Sequence, residues 1–579
     1  MKTHDTYRLL ITPLSPVHLG TGESYEPTNY VIDDGCLHEF DTGAVIDALS
    51  VGDRKALLDI GGRRPDAEMI KALQRFFFER RDVLMAHAVQ RVPVLPGVAS
   101  LYAKSVGQTV NREADGGKVV NRLEIDRTAF DPVSRQPVLY GSSIKGAIRT
   151  ALLDLINGGS ALRRVEDRHT GRQRHENNLE LQQRLFQYRA GKFELDPMRL
   201  VQLADAPWRG EPGLPAAQVR LAVNRKKAPV VDQQGRLRKS QAEAKELYQI
   251  LECVQGWHCR GFAGQMNLQS VAGIVEQDRG GRRRLPATDL RFDGVTIAKA
   301  CNDFYLPILK AELNLLRERG YLDADWERGI QATLQESEDR RIRGEAFFVR
   351  IGRHSGAEAV TLNGVRSIKI IKGSGEKPEY LDGAKTFWLA ADEKDQTNAL
   401  LPFGWVLIEL QSCDAPLREW PELKALCEPL SATARVWAKR LAEKQAELEN
   451  VKRATETRRQ QEEEAMRRAA EIEAKRQREG AEREARRAAM SENMRRVEAF
   501  KEEFAARAEQ LRGGKEKPNA AYHDRARKLA KEALEGAGWT AEERRAAAGA
   551  IEEWLPKVVQ VDLKDERKKL RLAALKEQA

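Results

Sequence analysis

Four stretches of this 579-residue chain have residue types and spacings that could handle an anion or a proton. In Tyr140-Gly-Ser-Ser-Ile-Lys-Gly-Ala-Ile-Arg149, Gly141 closes a loop, and Ser142 or Ser143 can accept the free amide hydrogens of a first helical turn. Lys145 and Arg149 lie four apart, one turn above the other. A helix N-terminus carries partial positive charge and unpaired amides, so it favours phosphate, and two nearby cations strengthen the preference. The plainer reading is a capped core helix with two solvated bases. No Gly-Lys-Ser/Thr closes a Gly-x4 frame, so this is not a P-loop. In Thr12-Pro-Leu-Ser-Pro-Val-His-Leu-Gly-Thr-Gly22, His18 beside Gly20 and Gly22 could donate a proton, touch phosphate, or serve as a structural hydrogen-bonder. In Gly352-Arg-His-Ser-Gly356, Arg353 and His354 are two potential anion contacts in a second glycine-rich loop. Asp33-Asp34-Gly35 carries two carboxylates, and Asp-Gly is what a tight hairpin turn requires.

These stretches need elements to hold them. Ile144, Ala147, Ile148, Ala151, Leu152 and Leu155 repeat at helical spacing and predict a buried stripe behind Lys145 and Arg149. Tyr7 to Ile11 predicts a strand that feeds the His18 loop, and Phe347 to Ile351 a buried strand that feeds Gly352. Tyr30 to Ile32 and Leu37 to Phe40 predict a hairpin around Asp34-Gly35. A long helix is expected from Pro65-Asp66 towards His87. Lys104 to Arg127 reads as an exposed loop or long hairpin, and Gly158 to Gln183 as a mobile segment. Further strands are expected at Met198 to Asp205, Ala217 to Val223, Gln265 to Leu268, Ile368 to Ile371 and Trp405 to Leu410. Ile297 to Leu316 reads as a helix that Pro307 kinks or restarts. Arg225-Lys-Lys227 with Arg236, Arg238 and Lys239 forms a basic loop, suited to backbone phosphate or simply solvated. Strands mixed with helices without strict alternation predict an α+β architecture.

Charged residues make up 32% of the chain and the net charge is +10, which suits a polyanion partner and equally a soluble protein. Aromatics at 6% argue against base stacking as the main mode of nucleic-acid binding. There is no long uncharged apolar run and no apolar segment after Met1, so neither a membrane span nor a signal peptide is expected. The cysteines Cys36, Cys253, Cys259, Cys301, Cys413 and Cys427 form no Cys-x-x-Cys pair, so neither a zinc ribbon nor a disulfide framework is expected. A reduced, cytoplasmic protein without metal or cofactor is the default. From Val436 to Leu511 there is no proline, and Glu, Arg, Lys, Gln and Ala dominate. One helix over that run would be roughly 110 Å long at ~1.5 Å per residue, with apolar heptad positions only near its ends. Gly513-Gly514 and Pro518 end it, and a small helical piece with Leu529, Leu534, Trp539, Ile551, Trp554 and Leu555 follows.

Taken jointly, Thr12 to Gly22, Tyr30 to Gly35 and Gly141 to Arg149 resemble the RAMP superfamily of CRISPR proteins. Phe347 to Gly356 and Pro402-Phe-Gly-Trp-Val-Leu-Ile-Glu409 are similar to the branch that supplies the fifth Csm subunit of type III-A effector complexes. The resemblance covers roughly residues 5 to 411. It implies two ferredoxin-like (RRM-type) domains, 1–215 and 216–430, followed here by the charged helix or coiled coil 431–514 and a helical extension 515–579. It implies a non-catalytic subunit that binds crRNA, caps the 3′ end of the filament beside the repeated backbone subunit and the small subunit, and takes part in crRNA maturation and antiviral defence. Other nucleases, a recruited host nuclease among them, would do the cutting. By that resemblance His18, Gly20, Gly22, Ser142, Ser143, Lys145, Arg149, Gly352, Arg353 and His354 become RNA-binding candidates. Phosphate and sugar contacts are the physically sensible kind, because guide sequences vary. No catalytic residue is carried over. An alternative is a RAMP endoribonuclease that processes crRNA itself, with His18 or His354 as acid or base and Lys145 stabilising phosphate charge. A third reading gives metal-dependent cutting to Asp33 or Asp34 by analogy with the backbone subunit, against the plainer turn. Two features depart from the branch. Arg353 and His354 stand where relatives tend to carry smaller or aromatic residues, and the C-terminal extension has no counterpart in the core resemblance.

Overall fold

The apolar run Leu9-Leu-Ile11 lies in the strand His4–Pro13, and neighbours on both sides make it the centre of a five-stranded antiparallel sheet. In order the strands are Val201–Leu203, Phe262–Gln269, His4–Pro13, Trp405–Ser412 and Ala346–Arg350. Ile11 stands opposite Phe262 on one side and Ile408 on the other. The helices Gly141–Asn157 and Gly294–Glu318 supply Ile144, Ile148, Ile297, Phe304 and Leu309 to the core shared with this sheet. Pro307 lies inside the second helix, which runs through it. Leu155, expected in the buried stripe, is exposed. In the last turns the helix Asn178–Leu185 lies alongside, and Leu152, Leu153 and Ile156 are the covered residues. The structure is a computed structural model, and it describes residues 4–108, 111–112, 119–120, 123–167, 171–229, 234, 247–277, 281–370 and 377–577.

A second sheet has six strands in the order Gly20–Tyr25, Ile125–Thr128, Tyr248–Val254, Ala217–Lys226, Thr386–Ala391 and Leu401–Pro402. The fold is thus mixed α and β, and both sheets draw strands from either side of residue 215. Ile125–Thr128 corrects the expected loop, because Ile125, Arg127 and Thr128 are buried between two strand neighbours. A third sheet joins Tyr30–Asp33, Cys36–Phe40 and Ala88–Pro93. Its first turn has positive φ at both Asp34 (48°) and Gly35 (70°), the type I′ geometry that Asp-Gly favours.

Three other expectations change. The helix expected from Pro65 to His87 is two, Ala67–Glu79 and Arg81–Ala86. Arg80 leaves helical backbone between them, and its guanidinium reaches Asp53 at 2.7 Å and covers the Phe76 ring at 4.0 Å. The segment expected to be mobile builds the ribbon Arg164–Glu166/Gln173–His175 and the capped helix Asn178–Leu185. Its charges are spent locally: Arg174 on Asp167 and Glu180, and Arg184 on Glu176. The long helix runs Ala432–Ala489 and is not continuous to Leu511, because Ser491 accepts the Met494 amide and starts a new helix, Glu492–Leu511. Ile371, Arg236, Arg238 and Lys239 lie outside the described residues.

Contacts divide the chain into two units, Met1–Arg459 and Gln460–Ala579. Within the first, the start of the long helix buries Leu448 against a cluster with Val31, Phe40 and Phe76. There Lys444 lies 3.8 Å from Asp33, and Arg458 donates to the Ala48 carbonyl at 2.8 Å. The second unit has its own core of Val497, Phe504, Leu529, Ile551 and Leu555. In it the Asn519 amide donates to His523 Nδ1, so the ring proton sits on Nε2, facing Glu566 at 3.0 Å.

His38 has no exposed surface, and neither ring nitrogen has a partner among the described residues. Burial, reinforced by Arg91 and Lys444, holds its pKa down to about 3. The folded chain therefore leaves this ring neutral where the unfolded chain protonates it. Its share of stability is complete above the ordinary histidine range and is lost as pH falls from about 6.5 towards 3. Between pH 7.5 and 5.0 the loss from this group is about 2 kcal/mol. Urea midpoints of wild type and His38→Leu at both pH values check this: the variant should show the shallower dependence, and parallel dependences would contradict it.

Candidate functional site

The glycine-rich loop expected around His18 is, from the end of the strand His4–Pro13 to Leu19, a buried crossing between the two sheets. Its backbone is satisfied by a different partner at nearly every step. Trp257 N–H donates to the Pro13 carbonyl at 2.6 Å, and Trp326 Nε1 to that of Leu14 at 2.7 Å. Gly404 N–H donates to the Pro16 carbonyl, Val17 exchanges hydrogen bonds with Val254, and Ala129 N–H donates to the Leu19 carbonyl. His18 is fully buried. Its Nδ1 lies 2.7 Å from the Glu252 carbonyl oxygen, and burial lowers its pKa. The expectation that His18 could touch a ligand from a loop gives way to the structural-hydrogen-bonder reading. Only at Gly20 to Glu23 does the chain reach the surface; Gly22 has φ 83° with open space around it.

The Gly352 loop lands on this crossing. Arg353 N–H donates to the His18 carbonyl at 2.8 Å. Gly352 has φ 82°, and a Cβ there would overlap that same carbonyl oxygen, so only glycine permits the approach. The structure thus brings His18, Gly20, Gly352, Arg353 and His354 to one place. Arg353 is exposed and pairs with Asp126, a residue of the strand beside Gly20–Tyr25. His354 stacks on Trp388 at 4.8 Å with Nε2 2.9 Å from Gln249 Oε1, and burial, Arg353, His18 and Arg350 push its pKa down to about 3. A ring with that pKa is neutral at neutral pH, so it offers no imidazolium as a general acid and is a weak base, which suits its neighbourhood with His18 poorly to acid–base work. Beneath them Glu252 is completely buried, accepts from Tyr25 Oη and Thr128 N–H at 3.1 Å, and has its pKa pushed up to about 7 by burial.

The Gly141 helix is a separate group. Tyr140, not a serine, is its N-cap residue, and Ser142 and Ser143 stand inside the first turn. Capping comes from elsewhere in the chain: Asp205 Oδ1 takes the Gly141 amide at 2.7 Å. That carboxylate occupies part of the positive helix end that phosphate would use. Arg149 is held by Asp196 at 3.0 Å and by Gln182 Oε1 at 3.1 Å, and lies 4.9 Å from the Phe186 ring centroid. It is a packed side chain, not a solvated base. Lys145 is half-buried, and burial lowers its pKa, with Asp196 acting the other way and Arg149 adding to it. Ser142 is exposed. Among the described residues, no hydrogen bond or ion pair joins this helix to the His18–Arg353 group.

Other expected contacts are occupied internally. Arg225 is buried and donates to the carbonyls of Lys394 and Gln396, and Lys227 pairs with Glu358 at 2.5 Å. Asp33 lies between Arg81 at 3.3 Å and Lys444 at 3.8 Å. Sequence reasoning missed Asp126, Asp205 and Glu252. Of these, only Glu252 leaves a trace, a lone acid between Leu251 and Cys253 in a strand pattern.

The sequence profile described as "RAMPs: RAMP superfamily" matches residues 10–352. No curated protein matches the chain. Two solved structures similar to it are a chain of the Csm–crRNA–target RNA ternary complex in a type III-A CRISPR–Cas system and the T. onnurineus Csm5 crystal structure. The first is 17% identical with a TM-score of 0.36, covering 70% of this chain and 100% of that one. The second is 14% identical with a TM-score of 0.36, covering 69% and 99%.

Two glycines of the site, Gly22 and Gly352, should respond differently to a methyl group. Gly352→Ala combines left-handed backbone, roughly 1–2 kcal/mol, with a backbone overlap that adds ~1–3 kcal/mol. Gly22→Ala meets only the first cost. Urea midpoints should place Gly352→Ala well below Gly22→Ala, and equal midpoints would show that the His18–Gly352 contact yields easily.

Proposed function

The chain belongs to the RAMP superfamily, and from that premise we propose that it is a non-catalytic crRNA-binding subunit of a type III-A CRISPR (Csm) effector complex. It caps the 3′ end of the crRNA filament and takes part in crRNA maturation and antiviral defence. Its neighbours are the repeated backbone RAMP subunit and the small subunit, with target RNA reached through the complex and a recruited nuclease doing the trimming. The two sheets with their helices stand for two ferredoxin-like domains in this reading.

The observation that carries the proposal is the meeting of two glycine-rich loops at the His18–Gly352 contact, within the span matched to the superfamily. Above that contact Gly20 and Gly22 expose backbone without side chains, and Arg353 offers a guanidinium. Backbone amides and one cation recognise phosphate without reading sequence, as a guide of varying sequence demands. Arg353 exchanges Asp126 for a phosphate at little cost, because an exposed ion pair is worth only about 0–1 kcal/mol. On the helix, Ser142, Ser143 and Lys145 are the candidate contacts, while Arg149 supports the helix through Asp196.

Co-expression of the complex with and without this chain, followed by sizing of the bound RNA, tests the assignment. Its absence should leave crRNA unmatured or the filament shorter at the 3′ end; unchanged RNA length and complex mass would remove the capping role. Filter binding at several salt concentrations tests the contacts. Lys145→Ala and Arg353→Ala should each reduce the slope of log affinity against log salt by about 1. Unchanged slopes in both variants would mean that the RNA lies elsewhere.

A further inference from the structure

One large aromatic ring stands in solvent beside the helix that carries Lys145. Phe193 is 65% exposed and opens the short helix Phe193–Leu195. Single exposed apolar residues are ordinary, so the ring takes its meaning from its setting. The turn before it is held closed: Gly191 has φ 76°, and Lys192 N–H donates to the Arg189 carbonyl at 2.9 Å. Leu195 N–H donates to the Lys192 carbonyl at 3.2 Å, and Asp196 N–H to that of Phe193 at 3.0 Å. Beside the ring lies Tyr188, which is buried, with the centroids 6.4 Å apart and the planes inclined by 37°. Tyr188 Oη in turn accepts from Arg149 at 3.4 Å, and Asp196 holds the same guanidinium at 3.0 Å. The turn is thus fastened at both ends to the helix Gly141–Asn157.

The residues around it are basic. Arg189, Lys192 and Arg199 are exposed, Arg199 on the next short helix, Pro197–Leu200. Arg283 brings its guanidinium to the start of the turn, donating to Gln187 Oε1 and to the Gln187 carbonyl, each at 3.2 Å. Of the acids here, Asp196 is taken by Arg149, and Glu194 lies 3.8 Å from Lys192. Among the described residues no carboxylate pairs with Arg189 or Arg199. An exposed π-face among such cations suits single-stranded nucleic acid, whose bases stack on the ring while its phosphates meet the charges. An acidic protein surface would satisfy the cations alone. The ring held open on a rigid turn, fastened to the Lys145 helix, favours RNA.

We propose that Phe193 is a stacking platform for one base of single-stranded RNA, with Arg189, Lys192, Arg199 and Arg283 meeting the phosphates on either side. This site rests on the reading of the chain as a crRNA-binding subunit, and it extends the RNA path from Lys145 past Tyr188 to the turn. Every base has a π-face, so stacking tolerates the varying sequence of a guide. A turn already locked by its own hydrogen bonds loses little freedom when the base arrives. One stacked base among phosphate contacts also agrees with a chain in which aromatics are only 6% of the residues.

The test measures binding of the full chain to a fluorescein-labelled, unstructured single-stranded RNA and to a matching abasic backbone. Phe193→Ala should weaken binding of the base-bearing RNA by about 5- to 150-fold. It should leave the salt slope and the affinity for the abasic backbone as they are. Phe193→Leu, which keeps an apolar side chain without a π-face, should behave as Phe193→Ala does, and Phe193→Trp should keep the wild-type affinity. Arg189→Ala should instead reduce the salt slope by about 1. Equal affinities of wild type and Phe193→Ala would overturn the platform, and so would an equal loss on the abasic backbone. Lys145→Ala and Arg353→Ala, measured in parallel, separate this outcome from failure of the broader reading. If they weaken binding and Phe193→Ala does not, the platform falls and the RNA-binding contacts stand. If only Phe193→Ala weakens it, the platform stands and the RNA leaves the glycine-rich loops. Loss of a neighbouring subunit from the reconstituted complex at unchanged RNA affinity would make the turn a protein-docking surface and overturn the proposal.

Discussion

The architecture depends on a stretch of backbone that passes through the protein interior without belonging to a sheet. Between Leu14 and Leu19 the chain leaves the middle of one sheet and arrives at the edge of another. A buried, unpaired amide or carbonyl costs about 1–3 kcal/mol, so the crossing is possible only because other elements come to meet it. Trp257, Trp326, Ala129, Gly404, Val254 and Arg353 do so from widely separated parts of the chain. Two of the approaches demand glycine. Gly352 and Gly404 both have strongly positive φ, and a Cβ on either would overlap a carbonyl oxygen, of His18 and Ile351 respectively. Their glycine character serves backbone-to-backbone packing, whereas that of Gly20 and Gly22 leaves backbone open at the surface.

Charge follows the same logic. A basic chain invites the reading that its arginines await a polyanion, yet many are consumed by the fold. Arg149, Arg225 and Arg260 each hold segments together through carboxylates or carbonyl oxygens. Arg127 bridges Glu39 and Gln90 while lying over the Phe130 ring at 3.7 Å. The histidines His18, His38, His258 and His354 are kept neutral chiefly by burial. What remains for a partner is a narrower set than the net charge suggests.

Much of this was legible in the sequence because the signals were local. The short apolar run in Tyr7 to Ile11, the Asp34-Gly35 turn, the helix after Gly141 and the strand before Gly352 each announce themselves within a few residues. The meeting of the His18 and Gly352 loops was not, because it joins residues more than three hundred positions apart and its chemistry is main-chain. The cap on Gly141 was misassigned for the same reason: adjacent serines were visible, while Asp205 arrives from another strand end. The break at Arg80 follows from a partner, Asp53, that no helical periodicity reveals. Ser491 could have been found, as a serine before an apolar-periodic segment is a helix-start signal inside a run that otherwise lacked one.

The central strand His4–Pro13 has its two partners in Phe262–Gln269 and Trp405–Ser412. During synthesis its second edge therefore waits for roughly 390 further residues, on the order of 20–80 s at ribosomal speeds of about 5–20 residues per second. For that interval a hydrophobic strand that belongs in the middle of a sheet has an unpaired side. Long-range pairing of this kind slows folding and exposes strand edges to other chains. The nascent protein thus has a period of vulnerability set by its topology, and its yield in the cell will be sensitive to translation rate and to the chaperones that shield unpaired strands.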